Sequence, residues 1–264
     1  MAARVRFGRL WVDSLTFDGA LAAVRALVER GHGGAIFTPN VDHVVMAETD
    51  AALRRAYRRA SLAFADGVPL VWASRTVLRS PLPAKLSGSD MMLPLARLAA
   101  ERGWGIYLLG GLPGAAAVAA ERLRAECGVR VVGVDDSRVT VAGDTDTDRE
   151  VLERVRAARP ELLFVALGAP KQELWISRAM DEIRPAVAIG VGASLDFLAG
   201  RVKRAPRWMS RVGLEWTYRL AQEPRRLWYR YLVRGPRFAG IVWRTARLRA
   251  AQRVRSARAE SRGA

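Results

Sequence analysis

The uncharged stretch GWGIYLLGGLPGAAAVAA, residues 103–120, gives the clearest indication of how this chain folds. Its length suggests a membrane span, but it contains five glycines, and Pro113 lies in its middle. These residues interrupt a continuous helix, so the stretch is better explained as a buried strand, a glycine turn and the beginning of a helix. We therefore expect that the chain does not span a membrane.

Similar apolar runs alternate with helical patterns along most of the chain. Strands are predicted at 35–37, 62–65, 106–109, 129–134, 162–167 and 186–191, with helical spacing at 44–59, 68–78, 149–159 and 171–180. Alternation of this kind is typical of α/β proteins. The fold class we predict is a Rossmann-like, largely parallel sheet with helices on both faces, followed by a basic helical C-terminal appendage.

The charge of the chain is concentrated near its end. The formal net charge is +17, of which residues 201–264 contribute +15, so residues 1–200 are close to neutral. We therefore predict a catalytic α/β domain at 1–200 and a basic, aromatic, membrane-associating appendage at 201–245. The Arg/Ala-rich tail at 246–264 has few large apolar residues and is expected to form a frayed helix or to be disordered.

Cysteine content and the N-terminus exclude several classes of protein. Cys127 is the only cysteine, which excludes an internal disulfide framework and a multi-cysteine metal site and fits a reducing compartment. The first fifteen residues contain three arginines and Asp13 without an apolar core segment, so we expect no signal peptide.

Polar residues follow the predicted strands where each strand ends. In an open parallel sheet, ligands bind outside these carboxyl ends. Asp66 suits a general base there, although its position alone favours the N-cap of the helix that follows. The turn GGLPG at 110–114 could hold a phosphate or ribose, or be a plain tight turn. Its spacing is not that of a dinucleotide fingerprint, which disfavours a nicotinamide-dependent oxidoreductase.

The polar segment DDSRVTVAGDTDTD, residues 135–148, contains two D-x-D spacings at Asp144, Asp146 and Asp148. Pairs of this kind bind Mn²⁺ or Mg²⁺ in one large class of sugar transferases. Here they precede a helical pattern, so a cap cluster in a surface loop is the favoured interpretation. We predict no metal site.

The C-terminal region combines arginines with four of the eight tryptophans. This composition could bind nucleic acid, through phosphate contacts and stacking, or an anionic bilayer. The apolar clusters at 227–232 and 238–243 favour a membrane or a partner surface. Trp208, Trp216 and Tyr218 are expected instead to close the core of the α/β domain.

Eight motifs occur in an order that is specific as a set: TPNVDH (38–43), ADGVPLVWAS (65–74), GSD (88–90), YLLGGLPG (107–114), LLFVALGAPKQELWI (162–176), AIGVGASLDFLAG (188–200), KRAPRWM (203–209) and GLEWTYRLAQEPRR (213–226). With these motifs, residues 6–238 resemble the WecG/TagA/CpsF glycosyltransferases, glycosyltransferase family 26. The stretch 162–226 is the most specific part.

The resemblance implies an enzyme that transfers a sugar, often N-acetylmannosamine or its uronic acid, from a UDP-sugar to an undecaprenyl-diphosphate-linked acceptor. It implies inversion at the anomeric carbon, no cofactor or metal, no nucleic acid, and a role in teichoic acid, common-antigen or exopolysaccharide synthesis. It also implies peripheral attachment to the cytoplasmic face of the membrane through the appendage. Another UDP-hexose or a UDP-uronic acid as donor, and a homo-oligomer, stay open.

The resemblance also implies roles for individual residues. Asp66 resembles the catalytic base and Thr38 its catalytic neighbour. The expected substrate-binding residues are Asn40, Lys85, Asp90, Gly110, Gly111, Lys171, Gln172, Asp196, Arg219, Arg225 and Arg226. Two departures concern the sugar pocket: residues 135–148 differ from the usual segment, and Lys85-Leu86-Ser87 stands where Arg, Val and Thr are common.

Overall fold

The computed structural model describes residues 3–206, 208–209 and 213–263, without the side chains of Arg226, Arg230, Tyr231 and residues 252–263. Six parallel strands form the main sheet in the order β4-β3-β8-β7-β5-β6. They are β3 (Gly34–Phe37), β4 (Leu62–Ala63), β5 (Gly105–Gly110), β6 (Arg130–Asp135), β7 (Leu162–Ala166) and β8 (Val187–Gly190). The α/β class and the parallel sheet are confirmed.

Helices cover both faces of this sheet. In chain order they are α1 (Phe17–Glu29), α2 (Val41–Met46), α3 (Ala51–Arg59), α4 (Val68–Thr76), α5 (Gly88–Arg102), α6 (Ala115–Cys127), α7 (Asp146–Ala158), α8 (Lys171–Ala179) and α9 (Ser194–Leu198). One apolar cluster joins the sheet to α1, α5, α6 and α9, and another joins it to α3, α7 and α8. Helices α8 and α9, which follow the neighbouring strands β7 and β8, therefore pack on opposite faces and leave a crevice between their N-termini.

The stretch at 103–120 folds as the sequence predicts. Strand β5 is followed by a turn and by α6, whose N-cap, Gly114, has the left-handed conformation. Gly110 also has a positive φ, and a Cβ atom there would lie 2.8 Å from the Ala166 carbonyl oxygen. Glycine is therefore required at this position by both backbone conformation and space.

Two local predictions need correction. The helical pattern at 44–59 forms two helices, because the chain leaves α2 at Met46 and the Asp50 side chain caps a new helix by accepting a hydrogen bond from the Leu53 amide. The sequence pattern also missed an antiparallel hairpin of β1 (Arg4–Phe7) and β2 (Leu10–Asp13). Each strand is only four residues long, which is too short for a clear pattern, and β1 alternates arginines with apolar residues.

The C-terminal part forms α10 (Glu215–Gln222), α11 (Pro224–Trp228), a π-helical turn (Tyr229–Arg234) and α12 (Gly235–Gly263). Phe238, Ile241 and Val242 on α12 are buried against β1, β2 and α2 in a third apolar cluster. The cluster at 238–243 is therefore largely core, which corrects its interpretation as a membrane or partner surface. Trp208 and Trp216, expected in the core, are instead 61% and 37% exposed.

The division of the chain at residues 200 and 245 stays a prediction. Within the described part of the chain, the tail beyond Ala246 continues α12 as helix to Gly263. No helix there is both long enough and apolar enough to cross a bilayer.

Candidate active site

Two adjoining cavities lie at the carboxyl ends of the strands. The larger, of about 580 Å³, is lined by the loops that follow β3, β4, β7 and β8 and by the turn after β5. The smaller, of about 270 Å³, lies between α4 and the C-terminal helices and is lined in part by Val68, Pro69, Trp216 and Phe238. The residues common to both linings are Asn40, Asp42, Asp66, Glu215 and Arg219.

Asp66 therefore stands where the two cavities meet. It follows β4, and its backbone amide donates to the Pro39 carbonyl oxygen at 2.9 Å, which holds it beside the loop after β3. The N-cap of α4 is Gly67, with φ +127°, and no side chain caps this helix. The alternative that Asp66 is the helix cap is therefore wrong, and its carboxylate is free of that role.

The surroundings of Asp66 favour a carboxyl group poised near neutral pH. Burial raises the pKa of Asp66 to about 6, the nearby Lys85 ammonium opposes this rise, and the carboxylates of Glu215 and Asp90 add to it. A base of this strength is largely ionised at pH 7 and still accepts a proton from a reacting hydroxyl.

Thr38 and Asn40 lie beside Asp66 in the lining of the larger cavity. The Thr38 hydroxyl donates to the Gly190 carbonyl oxygen at 2.9 Å, which ties the end of β3 to the end of β8. Asn40 caps α2 by accepting hydrogen bonds from the amides of Asp42 and His43 at 3.0 and 3.4 Å. Both predicted residues are thus held rigidly at the cavity wall.

Gln172 enters the larger cavity from α8 and is itself buried. Its side-chain Oε1 accepts a hydrogen bond from the Gly192 backbone amide at 3.0 Å, and its side-chain NH₂ group donates to the Glu173 carboxylate at 2.8 Å. A Cβ atom on Gly190 would lie 2.8 Å from the Gln172 amide nitrogen, so glycine there makes room for this side chain. Lys171, by contrast, does not line either cavity.

The glycine turn after β5 contacts the cavity through Gly111, but carboxylates already occupy two of its amides. Asp196 accepts from the Leu112 amide at 2.7 Å, and Asp136 accepts from the Gly114 amide at 2.8 Å. These two amides therefore do not point freely at a phosphate, which favours the structural interpretation of the turn. Gly110 lies in the sheet and outside both cavity linings.

Arg219 on α10 lines both cavities. Its guanidinium lies 5.8 Å from the centroid of the Phe197 ring, and its buried Nε has no hydrogen-bond partner among the described residues. A buried cationic donor without a partner is costly unless a ligand supplies an acceptor. Arg225 is exposed and lines neither cavity, and the side chain of Arg226 lies outside the described residues.

Sequence reasoning missed one arginine of the site. Arg234, in the π-helical turn, lines the larger cavity and forms an ion pair with the buried Asp42 at 3.0 Å. It is one of 18 basic residues beyond residue 200, and no motif distinguishes it from the others. Its tertiary contact with α2 identifies it.

Lys85 and Asp90 form an ion pair at 3.2 Å, and Lys85 also lies 3.9 Å from Glu215. Lys85 lines the smaller cavity, whereas Asp90 lines neither. Burial opposes ionisation of Asp90, but a hydrogen bond from Ser87 and the cations Lys85 and Arg204 hold its pKa below the ordinary value. Asp90 therefore lies outside the cavity linings, paired with a lysine that lines the smaller cavity.

The D-x-D segment is a helix cap. The buried Asp148 carboxylate accepts hydrogen bonds from Thr140 and Thr145, and Thr145 caps α7, while Asp144 and Asp146 are exposed. Among the described residues, no three His, Cys, Asp or Glu side chains are grouped as metal ligands. The cap interpretation of this segment is confirmed.

A comparison with known protein families places the chain in one family. The family model of the WecG/TagA/CpsF glycosyl transferases matches residues 5–253, nearly the whole chain. The match includes every strand of the main sheet, both cavity linings and most of α12.

Proposed function

Because this chain belongs to the WecG/TagA/CpsF glycosyltransferase family, which acts in polysaccharide biosynthesis, we propose that it moves one sugar from a UDP-sugar to an undecaprenyl-diphosphate-linked acceptor. N-acetylmannosamine or a related sugar is the proposed unit, with inversion and without a metal ion. The observation that carries this proposal is the position of Asp66 on the wall shared by the two cavities.

Two cavities meeting at one carboxylate suit a reaction between two substrates. The larger cavity has the size of a ligand pocket and is lined by Thr38, Gln172 and Asp196, so we assign it to the UDP-sugar. The smaller cavity is more apolar and adjoins the C-terminal helices, so we assign it to the sugar end of the lipid-linked acceptor. Donor carbon and acceptor hydroxyl would then meet beside Asp66.

The proposed reaction is a single displacement. An acceptor hydroxyl oxygen attacks the anomeric carbon while Asp66 takes the hydroxyl proton, and the bond from that carbon to the UDP oxygen breaks with its electrons leaving on UDP. Attack opposite the leaving group inverts the anomeric centre. A positioned base of this kind typically contributes about 10²- to 10⁴-fold.

The departing diphosphate needs positive charge close to it. Arg219 is the strongest candidate, since its buried Nε has no hydrogen-bond partner in the described part of the chain and its side chain lines both cavities. Arg234 and Lys85 add further cations, each already shared with a carboxylate. Preorganised donors that meet developing charge usually account for a large part of catalysis.

The test is UDP release from a panel of UDP-sugars, with and without a short-chain polyprenyl-diphosphate-sugar, in the presence and absence of EDTA. We expect release from one donor that depends on the acceptor and persists in EDTA. A UDP-hexose or UDP-uronic acid as the accepted donor would replace N-acetylmannosamine within the same mechanism. Release that needs no acceptor would contradict transfer, and loss in EDTA with recovery on adding Mg²⁺ would contradict the metal-free step.

A further inference from the structure

The α/β domain carries a strongly exposed tryptophan of its own. Among the large apolar side chains that the structure describes, Trp72 on α4 is the most exposed, at 69%. The opposite face of α4 carries Leu70, Val71 and Leu78, which are buried in the apolar cluster that also contains residues of α12. Packing in the core therefore accounts for that face of the helix and not for Trp72.

Trp72 lies one helical turn beyond the smaller cavity. Val68 and Pro69, at the start of α4, line that cavity. Residues three or four positions apart share one face of a helix, so Trp72 follows both of them along the same side of α4. Because one turn spans about 5.4 Å, the indole stands close to the cavity wall that these two residues form.

Helix α12 leaves the same cavity alongside α4. Phe238, near the start of α12, lines the cavity. Further along α12, the Arg249 guanidinium donates to the Leu78 carbonyl oxygen, beyond the end of α4, at 3.5 Å. The two helices therefore run side by side in the same direction, and Trp243, which is 59% exposed, lies between these two contacts in the sequence of α12.

The surface around this indole is basic, although residues 1–200 as a whole are close to neutral. Residues 67–89 contain three basic residues and no Asp or Glu. Arg75 donates to the carbonyl oxygens of Leu82 and Pro83 at 3.2 and 2.9 Å, which leaves its charge uncompensated. Neither Arg75 nor Arg79 forms an ion pair with a carboxylate in the described part of the chain, and both are exposed. This surface is complementary to an anionic one.

We propose that the exposed face of α4 is a second membrane contact, in which the Trp72 indole enters the headgroup region of an anionic bilayer and Arg75 and Arg79 face its phosphates. Tryptophan suits this boundary because its ring is largely apolar and its N–H is polar. Arginines close to anionic lipid add an electrostatic attraction. This contact belongs to the α/β domain and is distinct from the attachment expected of the C-terminal appendage.

A contact on α4 orients the smaller cavity as well as attaching the protein. With α4 and α12 both at the bilayer, the cavity from which they extend faces the membrane. A lipid-linked acceptor then reaches it without leaving the bilayer surface. This consequence rests on the proposed function, whereas the contact of α4 with lipid does not.

The first test places a fluorophore beside the indole and keeps the indole in place. Cys127 is the only cysteine, so Thr76→Cys in a Cys127→Ser background gives one labelling site, one turn after Trp72. The matched control is Val118→Cys, at an exposed position on α6, which packs on β5 and β6 at the sheet edge opposite β4. On phosphatidylglycerol vesicles, an NBD label at the first site should shift its emission to shorter wavelength and be quenched by nitroxide-labelled lipid. The control label should do neither.

Three results of this experiment would overturn the contact. The first is unchanged emission from the Thr76→Cys label, whether or not the protein sediments with the vesicles. The second is an equal response of the control label, because it would not single out α4. The third is a shift caused by a single-stranded oligonucleotide and not by vesicles.

The second test uses substitutions. Trp72→Ala should lower partition onto phosphatidylglycerol vesicles about tenfold, with a smaller loss in Trp72→Phe. Arg79→Gln should lower it about fivefold at low salt and have little effect at 1 M salt. Equal partition of the wild type and a folded Trp72→Ala variant would contradict the proposal.

Transfer assays separate the membrane contact from the cavity. Trp72→Ala should lower kcat/KM about tenfold for an acceptor embedded in phosphatidylglycerol vesicles and stay within about twofold for a short-chain acceptor in solution. Equal losses with both acceptors would show that Trp72 acts on the cavity, which would overturn the membrane role. Absence of transfer by the wild type with either acceptor would refute the proposed function instead and leave the fluorescence result to decide.

Discussion

At the scale of single residues, the fold makes the ionised form of Asp66 costly. Its half-buried carboxylate lines two cavities, and burial raises its pKa to about 6. Sequence position alone left it between a base and a helix cap, and Gly67 decides the matter by taking the cap position. The short strand β4 before Asp66 could be predicted from the sequence. The cavities around its end could not.

The base assignment predicts the pH profile of transfer. Since Asp66 must be ionised to accept a proton, activity should fall as the pH drops through about 6 and level off above pH 7. Asp66→Asn should lower kcat by roughly 10²- to 10⁴-fold and remove this acid limb. Steady-state rates between pH 5 and 9 measure both, with circular dichroism as the control for folding. Near-wild-type turnover in a folded Asp66→Asn variant would exclude the role.

The same residue predicts an unusual effect on stability. A carboxyl whose pKa is raised in the folded state binds its proton more tightly there, so its ionisation destabilises the fold as the pH rises from about 4 to about 6, and the cost persists above. Asp66→Asn should therefore be more stable than the wild type at pH 7.5, by up to about 3 kcal/mol. The difference should vanish near pH 4. Urea unfolding at both pH values tests this, and a less stable variant at pH 7.5 would refute it.

The arginines carried over from the resemblance separate into different environments. Arg219 is at the cavities and Arg225 is exposed outside them. Arg219→Gln should lower kcat/KM by roughly 10²- to 10³-fold, because it removes a donor to developing charge. Arg225→Gln is the matched control and should stay within about twofold. Equal losses would show that both arginines act through general charge.

At the scale of elements, α12 shows what hydrophobic spacing can and cannot reveal. Phe238 stacks on Phe7 with ring centroids 6.4 Å apart, and Ile241 and Val242 pack beside it, while Trp243 is 59% exposed. The spacing of the apolar residues predicts a helix with an apolar face. That spacing is the same whether the face contacts a bilayer or a hairpin. The partner lies more than 200 residues earlier, in strands that the sequence did not reveal.

A pair of substitutions on α12 distinguishes the two roles. Phe238→Ala should destabilise the protein by about 3–5 kcal/mol, because it leaves a cavity in the core beside β1. Trp243→Ala, five residues further along the same helix, should change stability by no more than about 0.5 kcal/mol. Thermal and urea unfolding would show the contrast. A larger loss of stability in Trp243→Ala than in Phe238→Ala would contradict the core position of Phe238.

At the scale of the whole molecule, chemistry and charge lie in different parts of the sequence but meet in space. The alternation of apolar runs with helical patterns was enough to predict the parallel sheet and its helices, because each run is a local feature of the sequence. The site depended on contacts between distant residues, such as Leu112 with Asp196 and Asp42 with Arg234, which no local pattern encodes. The family resemblance supplied candidates that the cavities do contain, among them Thr38, Asn40 and Arg219, and their roles stay predictions.

The basic C-terminal region predicts salt-dependent binding to anionic vesicles. Charge attraction is screened over about 10 Å at 0.1 M salt and about 3 Å at 1 M, so retention on phosphatidylglycerol vesicles should fall steeply across this range. Phosphatidylcholine vesicles are the neutral control. Trp243→Ala should weaken binding without changing its salt dependence. Binding to a single-stranded oligonucleotide but not to vesicles at 0.15 M salt would favour the nucleic-acid alternative.

The contact between the hairpin and α12 also determines when the N-terminal hairpin can finish folding during synthesis. The Gly8 amide bonds to the Thr245 hydroxyl across 237 residues of sequence, so the first strands to be synthesised gain their cover from nearly the last helix. At about 5–20 residues per second, a ribosome takes roughly 12–47 s to make the intervening chain. Throughout that time Phe7 lacks the ring that shields it. A nascent chain paused before residue 238 thus exposes an apolar surface that a chaperone can bind. A protein truncated there would lose the packing of its N-terminal hairpin as well as α12.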